Sequence, residues 1–155
     1  MKEIIEIYIS GVCHCNKQGC NSGGSGIVVI MPDATLEHAQ GYINTTTARA
    51  ELRAAATALK NIPTGSKVLV HAGQDFIAKA FNLGWIKNWQ EGSWRKGNKK
   101  PVQNKDLWLE LLAAMQGREV HWEWLAAHSG NPMGERAASL AQLGARSDSL
   151  VPDIQ

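Results

Sequence analysis

The spacing of apolar and polar positions changes character several times along the chain, and each change marks an element. From Glu3 to Ile9 apolar residues alternate with polar ones closely enough to predict a β-strand. Gly11 to Gly26 is rich in Gly, Asn, Ser and Cys and reads as a loop. Ile27 to Met31 is a β-branched run typical of a buried strand. After the Pro32-Asp33 turn signal, Thr35 to Tyr42 returns as the third strand. The period then becomes helical. Thr45, Thr46 and Thr47 offer N-caps for a helix through Lys60, with Leu52, Ala55, Ala56 and Leu59 on its apolar stripe. Pro63-Thr64-Gly65 ends it, and Lys67 to His71 forms a fourth strand. Helices are predicted over Gln74–Phe81, Trp85–Gln90, Asn104–Met115 and Glu135–Ala145, with a fifth strand over Glu119–Leu125. Residues 146–155 read as a C-terminal tail. The order predicts one α/β domain over 1–145. Its five-stranded mixed sheet has three antiparallel strands followed by parallel crossovers, and helices flank it.

Composition narrows the class. Of 155 residues, 44% are hydrophobic and 19% charged, an ordinary globular balance that excludes a disordered chain. The apolar runs are too short to span a bilayer. Glu3 and Glu6 interrupt the stretch that a signal peptide would keep apolar, so a cytoplasmic protein is expected. Cys13, Cys15 and Cys20 are an odd number of thiols, which argues against a disulfide framework. With His14 they supply zinc-ligand types, but the cramped spacing matches no common zinc motif, and free thiols are the expectation.

Net charge is only +2, yet it is unevenly placed. Between Trp85 and Lys105 lie Lys87, Arg95, Lys96, Lys99, Lys100 and Lys105 against the single acid Glu91, interleaved with Trp85, Trp89 and Trp94. Clustered cations among aromatics suit a polyanion. A solvated loop with its tryptophans turned inward is the plainer alternative.

Three groups of residues resemble the bacterial type 1 ribonuclease H family, which cuts the RNA strand of RNA–DNA hybrids. They are Gly84-Trp85-Ile86-Lys87-Asn88-Trp89 with Ser93-Trp94-Arg95-Lys96, then Lys99 through Trp108, and then Trp122-Glu123-Trp124 with His128-Ser129-Gly130-Asn131-Pro132 and Glu135-Arg136. The resemblance runs from about residue 3 to residue 145. It implies the ribonuclease H fold and a basic handle over the cationic window. It also implies a reaction in which two Mg²⁺ ions about 4 Å apart, held by four carboxylates, hydrolyse a phosphodiester. This chain keeps one of the four, Glu51. The other positions hold Ser10, Gly73 and Ala138. A lone carboxylate leaves two dications almost unneutralised, so no metal is expected and the chain is read as a pseudoenzyme. A displaced site made by Glu51 with Asp75 and Glu135, using Mg²⁺ or Mn²⁺, would be the route to residual hybrid cleavage. His128 matches the family's mobile loop histidine.

For binding, the resemblance keeps more. Thr46 and Asn104 fall at the family's phosphate pocket, and Lys87, Arg95, Lys96, Lys99 and Lys100 supply the handle's charge. Trp94 is the stacking candidate, whereas Trp85, Trp89, Trp108 and Trp122 are expected in the core. Thr47-Ala48 stand where the family carries minor-groove asparagines, and Asn16 is the candidate for a retained contact of that kind. The expectation is a monomer that binds the backbone of an RNA–DNA hybrid or duplex without cutting it. A protein-interaction scaffold is a further alternative.

Overall fold

The computed structural model describes residues 3–15, 21–96, 99–126 and 129–153, and only the backbone of Cys15. Among the described residues, six strands form one sheet in the order β5-β4-β1-β2-β3-β6, accompanied by five helices. They are β1 (Ile4–Cys15), β2 (Asn21–Met31), β3 (Ala34–Ile43), β4 (Lys67–Ala72), β5 (Glu119–Trp124) and β6 (Leu150–Pro152). The first three pair antiparallel, and β4, β5 and β6 join in parallel. The helices are α1 (Thr47–Lys60), α2 (Asp75–Asn82), α3 (Trp85–Glu91), α4 (Lys105–Met115) and α5 (Pro132–Ala145). No helix among the described residues is long and apolar enough to cross a membrane.

Alternation in β1 explains the layering. Ile5, Ile7 and Ile9 face one side and join Leu52, Leu59, Val68, Val70, Leu107, Leu111 and Trp108 in the larger core. Tyr8 faces the other side, where it meets Val28, Ala137 and Leu140 beneath α5. A period of two thus gives the sheet two buried faces, one under α1 and α4 and the other under α5.

Two expectations are corrected. The stretch Gly11–Gly26 is not one loop, since β1 runs on to Cys15 and β2 begins at Asn21, with Val12 opposite Gly24 and His14 opposite Ser22. Glycines mislead here because their value is close approach rather than turning. A Cβ on Gly26 would run into the Ala137 carbonyl and lie 2.5 Å from the Ala141 nitrogen, so only a bare Cα lets α5 lie on the sheet. The tail is also corrected. Residues 150–152 pair with Gly41–Ile43 as the sixth strand, and Asp153 is buried. Three residues are too few for a period to announce a strand.

We expect Gly26→Ala to cost about 3 kcal/mol, because the clash is with helix backbone rather than with a movable side chain. Gly134→Ala, in the first turn of α5, meets only the end of the Leu125 side chain at 3.1 Å and should be neutral or gain up to about 1 kcal/mol. Urea midpoints of the two variants check both.

Candidate functional site

Parallel neighbours bring the first part of the site together. β1 and β4 run side by side with Ile9 opposite Ala72, so β4 ends beside Ser10 while β1 runs on to Cys15. Ser10 and Gly73 therefore become neighbours, in the position where open sheets bind ligands. α1 crosses behind them and presents Glu51, and α5 closes the other side with Ala138. The four form one small cleft of about 170 Å³, so the structure assembles the predicted positions. It adds Gln74, Ser139 and Gln142 to the lining. Ser139 and Gln142 follow Ala138 by one position and one helical turn, a spacing that could have been used to find them.

The chemistry of this cleft is neutral. Ser10 is buried, and Gly73 and Ala138 carry no donor atom. Glu51 is fully buried, and its two oxygens accept the backbone N–H groups of Gly73 and Gln74, each at 3.1 Å. Burial pushes its pKa up to about 8, overriding the lowering effect of the N–H groups of Gln74, Gly73 and Gly11. Asp75 and Glu135 do not line the cleft. Asp75 is half-exposed and ion-paired to Lys79 at 2.6 Å, and that contact holds its carboxyl below the usual range. Glu135 is exposed on the first turn of α5. His128 and Asn16 lie outside the described residues.

A second cluster forms around Arg49. Its backbone N–H donates to Thr46 Oγ1 at 3.1 Å, capping α1, while its Nη1 donates to Asn104 Oδ1 at 3.3 Å. One residue thus links the two predicted phosphate-pocket side chains. Arg49 also makes a bidentate pair with Asp106 at 3.0 and 2.8 Å and a second with Asp153 at 2.7 and 2.9 Å. Asn104 sits in the left-handed region at φ 61° and does not cap α4 with its side chain. Asp106 lies within the Lys99–Trp108 stretch, Arg49 stands two positions before Glu51 and Asp153 falls in the predicted tail, but the sequence singles out none of the three for a role.

The cationic window folds into α3 and a turn in which Arg95 bridges to Pro101. A groove of about 650 Å³ lies there, lined by Trp85, Asn88, Trp89, Arg95, Lys96 and Lys99. Lys87 and Lys100 are exposed beside it. The tryptophan expectations change places. Trp94, the stacking candidate, is half-buried against the core with its ring 6.1 Å from Trp89. Trp85, expected inside, is 36% exposed and lines the groove. Period could not tell them apart, because the positive φ at Ser93 and Trp94 folds the chain back on itself. Trp108 and Trp122 are in the core as expected.

The candidate zinc ligands diverge where they can be seen. Neighbours on a strand point to opposite faces, so Cys13 Sγ reaches the Thr45 carbonyl at 3.5 Å and His14 Nε2 meets Gln142 at 2.7 Å. Cys20 and the Cys15 side chain lie outside the described residues. Among those described, no group of three or more His, Cys, Asp or Glu is placed to hold a metal.

Comparison with known proteins gives one answer. The RNase H family profile matches residues 2–146. A Ribonuclease H of Pseudoalteromonas atlantica is 39% identical over 149 residues, covering 96% of this chain and 95% of that protein. The Ribonuclease H of Actinobacillus succinogenes is 34% identical, with 97% and 95% covered. Two solved structures share the fold. One is a type 1 RNase H with the type 2 active-site motif, at TM-score 0.77 and 24% identity, with 94% of this chain and 73% of that one covered. The other is a foamy viral protease-reverse transcriptase in complex with RNA/DNA hybrid, at TM-score 0.79 and 19% identity, with 92% and 20% covered.

The Glu51 geometry sets a pH dependence. Its folded pKa of about 8 lies above the ordinary value of 4.5, so its contribution to stability is full below about pH 4.5 and is lost as pH rises through about 8. In chelator, melting temperature should fall by on the order of 5 °C more across that range in the native protein than in Glu51→Gln. Thermal scans at pH 5, 6, 7, 8 and 9 on both proteins measure the difference.

Proposed function

This chain belongs to the ribonuclease H family, and from that membership we propose that it binds nucleic acid without hydrolysing it. The observation that carries the reading is the state of the cleft. Two dications in close contact need several anionic oxygens to offset their repulsion, and Mg²⁺ accepts only hard oxygen donors in near-octahedral array. Here the cleft offers one carboxyl, Glu51, beside the neutral oxygens of Ser10, Thr47, Gln74, Ser139 and Gln142. That carboxyl is desolvated and already committed to two backbone N–H groups. These residues do not fit a metal pair, and no step of a metal-assisted reaction is assigned to them.

What remains is suited to binding. Handle cations supply an attraction to phosphates that is independent of base sequence and sensitive to salt. The Trp85 face in the groove offers a surface for an exposed base or sugar. Thr46 and Asn104 can each offer a proton to a phosphate oxygen, since Arg49 occupies the acceptor side of both. Such contacts fix register without reading sequence. The favoured ligand is the backbone of an RNA–DNA hybrid or duplex.

The names of the relatives favour one second reading, residual cleavage of RNA in a hybrid with Mg²⁺ or Mn²⁺. It would have to run through Glu51 with Asp75 and Glu135, and the Lys79 pair and the exposure of Glu135 weigh against it.

We expect hybrid and duplex DNA to be bound at 50 mM salt, with affinity falling about a hundredfold by 200 mM. Reversing Lys96, Lys99 and Lys100 to Glu should remove most of it. Fluorescence anisotropy reads both, and no binding to any duplex at low salt would reject the proposal. Incubation of labelled hybrid with Mg²⁺ or Mn²⁺ should give the same background for the native protein and Glu51→Gln, and cleavage above that background establishes the second reading instead. The combined substitution Ser10→Asp, Gly73→Asp, Ala138→Asp should gain Mg²⁺-dependent cleavage. A Cβ at Gly73 would lie 3.0 Å from Glu51 Oε1 and turn that carboxyl away from the backbone.

A further inference from the structure

Just after β6 stands a carboxylate whose side chain has been taken completely out of water. Asp153 has a side-chain exposure of 0%, and its two oxygens receive Arg49 Nε at 2.7 Å, Arg49 Nη2 at 2.9 Å, Arg53 Nε at 2.8 Å and Thr45 Oγ1 at 2.6 Å. Burial opposes its ionisation, but the donated hydrogen bonds together hold its pKa down to about 2. β6 delivers it there by pairing with Gly41–Ile43, and the Asp153 N–H donates to the Ile43 carbonyl at 3.1 Å. The acceptor for Arg49 is therefore fixed by backbone hydrogen bonds as well as by charge.

Arg49 passes this restraint on. Its guanidinium fork is shared between Asp153 on one side and Asp106 and Asn104 on the other, and its backbone holds Thr46. With Nε and Nη2 committed to Asp153, the guanidinium plane can take only one orientation, and Nη1 must point at Asn104 Oδ1. That contact takes up the Asn104 carbonyl oxygen and leaves its NH₂ as the donor for a ligand. Resting on the binding reading above, we infer that Asp153 is a positioning residue. From the far end of the chain it holds the two phosphate donors, Thr46 and Asn104, in a single arrangement through Arg49. Without it, Arg49 keeps its bidentate pair with Asp106 but loses the Nε and Nη2 contacts that hold its plane from the other side, and the amide is held less firmly. Handle binding continues, while the contact that sets register weakens.

A double-mutant cycle on the full-length protein tests this, with anisotropy of a labelled RNA–DNA hybrid at 50 mM salt well below the melting temperature. Asp153→Asn should weaken binding about three- to tenfold in the native background, the size of a coupled charge-assisted contact. In a Thr46→Ala, Asn104→Ala background the same change should have less than about a 1.5-fold effect, because the groups it positions are gone. An equal loss in both backgrounds means Asp153 acts only on global stability and overturns the inference. No loss in either background also overturns it and leaves the binding reading intact. Absence of hybrid binding by the native protein would instead reject that reading first. Thr45→Val, which removes one donor from Asp153 and keeps the side-chain shape, gives the same cycle if Asp153→Asn does not fold. Its expected loss is about two- to threefold in the native background and none in the other.

Discussion

A guanidinium buried to 2% exposure must be neutralised on every side, and meeting that demand at Arg49 organises this molecule. A charge out of water is tolerable only when paired and fully hydrogen-bonded. The pairing of the guanidinium draws on two distant stretches, the start of α4 through Asn104 and Asp106 and the segment after β6 through Asp153, which Thr45 also supports. Replacing one acid would leave the arginine under-compensated between them. Arg53 reinforces the arrangement, since it bonds the same Asp153 and lies 5.5 Å from the Tyr42 ring centre.

The two halves of the site meet on α1. Arg49 and Glu51 are two positions apart, so they leave the helix in different directions. Arg49 goes toward α4 and the C-terminal strand, and Glu51 toward the cleft between β1 and β4. Their fates are opposite. Arg49 remains charged because it is surrounded by acids. Glu51 is driven toward its neutral form by its burial.

Small residues let the backbone approach closely in that cleft. With Gly at 73, the chain lies close enough for its own N–H groups to satisfy Glu51. Where the family resemblance implies an aspartate, this chain provides a backbone clasp instead. Likewise the backbone of α5 at Ala137, Ala141 and Ala145 lies directly against Gly24 and Gly26 of β2. The helix is thus held by close packing.

Local pattern determined most of the elements and the family. Alternation in β1, the β-branched run of β2, the threonine cap and the Ala-rich stripe of α1 are short-range signals that any chain must express in the same way. The positions of Ser10, Glu51, Gly73 and Ala138 were likewise legible, because spacing between motifs is linear information. Three features were decided only in three dimensions. Strands β1 and β2 extend through a glycine-rich stretch because α5 covers it. Trp85 and Trp94 exchange roles because a left-handed turn reverses the chain between them. Asp153 joins Arg49 across about a hundred residues of sequence, since burial selects partners by proximity in the fold and leaves no period or motif to read.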